Sequence, residues 1–528
     1  MFNGISKLFN MKKAKKENTK EQPVENTKAT KTEIPKSIVE TKKKLQQAFE
    51  KCDDLVIREV EVGKLDVKVI VAFLDGFIDS KILSENVIEP IIEYSGDSKN
   101  KKVSITDLLK SNIISSNSLS ELGVFEDTID GIAAGEAIVY IDGAGKALKI
   151  GVKSPDKRGV EQSSTEITVK GSKEGFNENL RTNTILLRRR IKSPNFKVEN
   201  LKLGEQTHTD VNICYIEGIV KEELVEEVKK RIQKIKIDGI LSPGYIEQFI
   251  QDGKYPIFPM VGNSEKPDKV AAKLLEGRIA IIADGSPTAL TVPFLFIECI
   301  QSQEDYYGEY IFASFIRILR FMSLVIAIYL PALFVAITAF HQSVLPFKLL
   351  LTIISAREGI PFSTFTETFM MIIVFEILRE AGIRLPRAIG QAVSIVGAIV
   401  LGDAAVSAGI ASAPIIIIAA LSGICGFIIP PIMKTISIFR FVMLVAANIL
   451  GLFGIGIISI ILISYLSNKR SFGIPYLVPL SPVQTDDFKD TLIVVPIWAM
   501  FTRPRSLNEG KNITRSKGKF FSRKGNKP

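Results

Sequence analysis

Two carboxylates and a run of hydroxyls stand where the chain otherwise reads as an apolar helix. Residues 362–378 hold Ser363, Thr364, Thr366, Glu367, Thr368 and Glu376 among Phe, Met, Ile, Val and Leu. Ionisable groups in a membrane span are costly and face protein or water, so these residues are the first candidates for chemistry. With Ser363 at zero and about 100° per residue, Val374, Glu367, Leu378 and Met371 fall at about 20°, 40°, 60° and 80°. Ser363, Glu367, Met371, Val374 and Leu378 therefore form one stripe, with Thr364 and Thr368 at its border. Several copies arranged about an axis would make a ring of acids beside a Met/Val/Leu constriction. Acidic rings favour cations, and apolar constrictions gate by dewetting. Two competing readings stay open: Glu367 snorkels to the interface or bonds Thr364 and Ser363 nearby, or it belongs to a proton or ion relay. Glu376 lies about 180° from Glu367 on this wheel. It can meet Arg379 three residues on, and Glu380 can meet Arg384 four residues on, which are interface or orientation roles.

A second set of acids recurs in turns. Asp75, Asp142, Glu217 and Asp284 each precede a glycine, and Asp75–Asp142 and Glu217–Asp284 are both 67 residues apart. Residues 67–79 and 211–222 are β-branched runs that end in the acid–glycine pair and lead into helical stretches. Residues 137–150 and 279–292 read strand, Asp-Gly turn, strand, which is a hairpin signal. The spacing predicts two copies of one α/β unit. Glycine supplies the turn's positive φ and the acid accepts backbone hydrogen bonds, so turn chemistry accounts for these acids without catalysis. Gly143-Ala144-Gly145 is half a dinucleotide fingerprint but sits inside a hairpin, which rejects that reading.

The elements that must position the first set lie past Arg320. There the charged sequence gives way to apolar stretches at about 321–340, 362–378, 388–409, 411–432 and 441–466. A hydrocarbon core about 30 Å thick needs roughly 20 helical residues. Arg317 and Arg320, then Arg379, Arg384 and Arg387, then Lys434 and Arg440 fall at alternating ends and mark the cytoplasmic side. Five crossings would place the C-terminus outside, against Lys469, Arg470 and the basic tail. Either one segment does not cross, or residues 441–466 fold back near Gly451, Gly454 and Gly456. The small residues of the third and fourth segments, Gly397 to Ala411, read as packing surface.

The net charge of +10 and pI of about 9.1 come largely from two tails. The expected organisation is a basic disordered tail (1–44), a cytoplasmic α/β subdomain (45–160), a basic connector (161–196), a second α/β subdomain (197–310), a membrane domain of about five apolar helices (311–467) and a C-terminal segment with a basic tail (468–528). The fold class is thus a soluble α/β region of two repeated subdomains followed by an all-α polytopic membrane domain. The connector's Arg181, Arg188, Arg189, Arg190 and Lys192 read as a solvated face, with acidic partners or lipid phosphate as the alternative. No aromatic-interleaved basic patch supports nucleic-acid binding. Cys52, Cys214, Cys299 and Cys425 are far apart, and with His208 and His341 they make no metal-ligand spacing; no metal or cofactor is expected. Residues 1–16 lack the apolar core of a secretory signal, which keeps the soluble part in the cytoplasm as an expectation.

Several motifs together carry a resemblance. They are the run from Phe375 to Pro386 (FEILREAGIRLP), Gly402-Asp403-Ala404-Ala405-Val406, Ala283-Asp284-Gly285-Ser286-Pro287, Glu304-Asp305-Tyr306-Tyr307, Arg317-Ile318-Leu319-Arg320, Glu174-Gly175-Phe176, Arg188 to Pro194 and Phe472 to Leu477. With these the chain, from about Asp54 to Pro504, resembles the A subunit of the GerA-type nutrient germination receptors of endospore-forming bacteria. Lys170-Gly171-Ser172 departs from the family's Arg-Gly-Pro, and the Asp142 turn is less elaborated than the family pattern. The resemblance implies a complex in the spore inner membrane with a transporter-like B subunit, which senses the nutrient, and a C lipoprotein. It also implies an A subunit that oligomerises, as a pentamer, into a ligand-gated cation channel lined by the helix of Glu367. The stage V sporulation paralogue of the same architecture is the near alternative. A secondary transporter would carry inverted repeats, and none is visible in 321–466. No nucleophile–base pair or metal cluster supports an enzyme.

Overall fold

The computed structural model describes residues 32–62, 67–93, 119–152, 163, 166, 168–253, 256–386, 400 and 402–508. The tail residues 1–31 and 509–528 and most of the expected third apolar segment, 387–399, lie outside them.

The first α/β unit contains α1 (Ile38–Ala48), β1 (Leu55–Glu61), β2 (Lys68–Leu74), β3 (Leu119–Leu122), α2 (Phe125–Ala133), β4 (Ala137–Ile141) and β5 (Ala147–Ile150). The second contains α3 (Leu180–Arg190), β6 (Phe196–Leu203), β7 (Thr209–Ile216), α4 (Glu222–Gln233), α5 (Pro243–Ile250), β8 (Gly262–Ser264), α6 (Pro267–Leu275), β9 (Ile279–Ala283) and β10 (Ala289–Val292). Both sheets are antiparallel and share one topology, β1-β2-β4-β5-β3 and β6-β7-β9-β10-β8. Register repeats too: Val69 pairs with Ile141, and Val211, 142 residues later, pairs with Ala283, also 142 residues later. The central strands bury both faces. Ile70, Ala72 and Leu74 pack under α1 and α2, while Val69, Val71 and Phe73 pack against Leu83, Val87 and Ile91. In the second unit Cys214 and Ile216 face α3 and α6, and Val211, Ile213 and Tyr215 face α4 and α5. The period-2 alternation of the strands thus splits one apolar run between two cores.

Two expected boundaries shift. Within the segment 1–44, Ile34 is buried and α1 starts at Ile38, so its described end belongs to the first unit. Within 161–196, α3 is the second unit's counterpart of α1, and its basic residues are largely engaged. The Arg188 side chain is 1% exposed and grips Asp54 through Nε (2.6 Å) and Nη2 (2.7 Å). Arg181 meets Asp75, and Arg190 meets Glu174. The Arg188–Asp54 and Arg181–Asp75 pairs, with the parallel bridge from Cys52 to Val198, join the two units.

The helical half contains α7 (Tyr310–Phe340), α8 (Phe347–Ala356), α9 (Thr364–Arg384), α10 (Ala413–Phe427) and α11 (Met433–Asn468). Among the described residues, Tyr310–Phe340 and Pro430–Asn468 are the candidate spans by length and apolarity. The latter is folded back on itself. Gly451 has φ 61° and ψ −140°, a conformation left to glycine, and a Cβ on Gly454 would sit 2.2 Å from the Ala446 carbonyl oxygen. The Phe258 ring lies 5.6 Å from Phe439 and 6.3 Å from Tyr465, residues that a straight helix would hold about 39 Å apart. The two arms, 433–450 and 452–468, are each about 26 Å long, close to one hydrocarbon thickness. The fold-back near Gly451 is one of the two alternatives read from the sequence: the chain returns to the α/β side, where β11 (Arg470–Ser471) and β12 (Ile474–Pro475) follow and Phe472 enters the second unit's core.

Candidate functional site

Helix α9 starts at Ser363, whose hydroxyl accepts the Thr366 N–H (3.2 Å) and caps the first turn. Glu367 follows one turn later and is fully buried. Its Oε1 accepts from Arg357 Nη2 (2.9 Å) and Nε (3.2 Å), and its Oε2 accepts from Ser412 N–H and Oγ (both 3.1 Å). Arg357 closes α8 and Ser412 opens α10, so one carboxylate ties three helices at the end remote from the α/β units. Met371 is buried with Val335, Ile415 and Leu444. The stripe read from the sequence is therefore divided. Glu367 and Met371 face the chain's own core, Ser363 is exposed, and Val374 and Leu378 are half-buried. The open face of α9 is rotated from that stripe and carries Ile373, Ile377 and Ile383.

At the other end of α9, Glu376 accepts from Ser437 Oγ (3.0 Å) and Arg440 Nη1 (3.2 Å) and pairs with Arg379. Arg379 also donates to Ser437 (2.9 Å), and Arg440 reaches the carbonyls of Ala327 and Ser422 (both 3.0 Å). An apolar cleft of about 350 Å³ between α9, α10 and α11 ends on these groups. Glu380 pairs with Arg384 (2.7 Å) on the exposed face. Glu367 and Glu376, nine residues apart on one helix, are thus both neutralised, Glu367 by Arg357 and Glu376 by Arg379 of the same helix and Arg440 of α11.

Asp403 is exposed in the helical turns 402–407 beside exposed Val400 and Val406. Among the described residues it has no ion pair or hydrogen bond. The signal that marks it is an acid inside the small, apolar stretch 388–409.

A third cluster joins the halves. Arg317, in the first turns of α7, is fully buried; it donates to Asp305 (2.8 Å), Asp490 (2.8 Å) and the Thr491 carbonyl (2.9 Å). Arg320 also holds Asp305, and the Tyr306 hydroxyl donates to Asp490 (2.9 Å). Burial pushes the Asp490 carboxyl up, opposed by the Arg317 charge.

The turn acids are structural. Asp142 accepts the Ile38 N–H (3.0 Å) and Asp284 the Leu180 N–H (3.1 Å), each capping the first helix of its unit across 104 residues. Glu217 pairs with Lys197 (3.3 Å).

A duplicated α/β domain is followed by a bundle of apolar helices, and among the described residues two of these are long and apolar enough to cross a membrane. Residues 43–506 match the model of the Bacillus/Clostridium GerA spore germination protein family, and the chain belongs to that family. It is 41% identical over 481 residues to the uncharacterized membrane protein YfkQ of Bacillus subtilis (strain 168), covering 90% of this chain and 92% of that protein. It is 39% identical over 487 residues to spore germination protein KA of the same organism (92% and 88%) and 35% identical to spore germination protein GerLA of Bacillus cereus (92% and 98%). Among solved structures, the N-terminal domain of the A subunit of the Bacillus megaterium spore germinant receptor GerK3 aligns over 51% of this chain and 98% of that chain, at 29% identity and a TM-score of 0.41.

Proposed function

We propose that the chain is the A subunit of a nutrient germinant receptor of the spore inner membrane and that its copies assemble, as a pentamer, into a nutrient-gated cation channel. It works with a transporter-like B subunit and a C lipoprotein, with its α/β units on the cytoplasmic side. The observation that carries the reading is α9, a polar helix whose carboxylates are neutralised from behind while one face stays open. In the assembly that side of α9, bordered by Ser363, Val374 and Leu378, lines the path. Glu367 and Met371 fix the helix from the core side, with Glu376 and Arg379 at its other end. Because Arg357 neutralises Glu367, Asp403, which has no ion pair among the described residues, is the acid assigned to attract cations. An exposed carboxylate on an apolar helix is costly against lipid and comfortable beside water.

The test is potassium release from spores after a mixed amino-acid and sugar trigger. Asp403→Asn is expected to slow release and weaken cation selectivity, and Val374→Ala to leak without nutrient. Normal release from spores lacking the chain and its paralogues overturns the channel reading. Normal selectivity in Asp403→Asn, with normal protein levels, removes only the role of Asp403.

A further inference from the structure

Helix α5 carries one broad apolar arc of about 140°, of which only one edge is buried. Ile246 and Ile250 point into the second unit's core. Leu241, just before the helix, and Tyr245 and Phe249 within it recur every four residues on the outside and are 72%, 40% and 51% exposed. Exposed apolar patches mark interaction surfaces. Nothing in the chain covers this one among the described residues.

Its place in the fold indicates the cover. Glu247 of α5 lies within electrostatic reach of Lys434, the second residue of α11. The turn after α5 holds the other end of α11's hairpin, because Asp252 accepts the Phe472 N–H (2.6 Å) and pairs with Arg231 (2.8 Å). Further along, Ile257 is 40% exposed, its carbonyl accepts the Thr435 hydroxyl, and Phe258 packs on Phe439 and Tyr465. The α5 stripe thus sits level with both proximal ends of α11, whose outer face shows Ile438, Val442 and Ile461. Lys434 and Arg470, both exposed, cap those ends with positive charge.

We propose that Leu241, Tyr245 and Phe249 form an interfacial anchor that dips into the headgroup layer of an anionic bilayer and docks the second α/β unit on the membrane surface. The surface continues the lipid-facing exterior of α11, a tyrosine sits where one apolar end and one wet end suit it, and the basic residues complement anionic headgroups. Burial of such a face about 5–10 Å into the boundary is the usual geometry of an interfacial helix.

The experiment uses the full chain in vesicles of phosphatidylethanolamine and phosphatidylglycerol. Trp498, the sole tryptophan, is replaced by Phe, and Phe249→Trp or Leu241→Trp supplies the probe. Lipid brominated near the headgroup is expected to remove most of the emission, and aqueous iodide little of it. Val39→Trp, on the distant helix α1, gives the reverse pattern as a folded control. Strong iodide quenching without lipid quenching of the α5 probes overturns the proposal. Blue-shifted emission that neither agent quenches also overturns it, and assigns the face to a second copy or another subunit. The channel reading is not at stake in either result.

Discussion

Replacing Glu367 tests whether its carboxylate serves a pore or a helix junction. The carboxylate has four hydrogen bonds, two from Arg357 and two from Ser412, and no exposed surface. Bonds to charged groups contribute about 1.5–3 kcal/mol each, but the four share two oxygens and do not add. The relevant figure is the loss of one partner of a buried pair, about 3–5 kcal/mol. Arg357 keeps 25% of its side chain exposed, so the stranded charge regains some water, which points to the lower end of that range. Glu367→Ala should therefore cost about 3 kcal/mol, more than a hundredfold in the folded ratio. Glu367→Gln should cost less, since its amide keeps one acceptor but sets an N–H against a donor. The assay is thermal melting of the full chain in detergent, with protein level in spores as the companion. In a double-mutant cycle, Arg357→Ala/Glu367→Ala should be less damaging than the two single changes summed, because neither charge is then stranded. A Glu367→Gln protein that melts normally yet passes cations with altered selectivity would refute this reasoning and return the carboxylate to the pore.

The fold-back of α11 predicts that Gly451→Ala lowers the melting midpoint through a strained backbone worth about 1–3 kcal/mol, since φ is 61° and a Cβ would lie 3.0 Å from His341. Gly454→Ala should be at least as damaging, because its Cβ meets backbone rather than a side chain that can move. Glu247 gives a pH dependence. Burial raises its pKa above 4.5, opposed by Lys434, so the folded state holds this proton more tightly than the unfolded chain. Its stabilising contribution is complete below the unfolded value and is lost as pH rises through the folded value. Glu247→Gln should thus leave acid stability unchanged and raise the melting midpoint at neutral pH.

The repeat was readable because strand periodicity and acid–glycine turns are local signals. The role of Asp142 in capping α1 was not readable, since that helix lies 104 residues away. The same limit explains α9. A helical wheel orders Ser363, Glu367 and Val374 around an axis but cannot say which side a neighbour covers. Covering Glu367 required Arg357, at the end of a ten-residue helix too short to register as a span, and Ser412, 45 residues on. The basic run at Arg188–Arg190 misled for a related reason: charge suggests solvent until a partner such as Asp54 is brought to it. Gly451, by contrast, was visible as one of two alternatives, because the charge at both ends of the last segment called either for a fold-back or for a segment that does not cross.

The join between the halves follows the same logic. Glu304-Asp305-Tyr306-Tyr307 and Arg317-Ile318-Leu319-Arg320 stand out in the sequence, but their meaning lies with Asp490, 173 residues beyond Arg317. The C-terminal segment returns from α11, inserts Phe472 under Arg231 (4.3 Å to the ring) and runs back across α7 to place Asp490 on Arg317 and Tyr306. The halves are therefore connected by the chain twice, before α7 and after α11, and the buried arginine is held from both connections. Separating the α/β units from the apolar helices has to break Arg317–Asp305 or Arg317–Asp490, at about 3–5 kcal/mol for a stranded buried charge. A motion that keeps both pairs costs none of this, so displacement of the two halves as one body is less expensive than their separation.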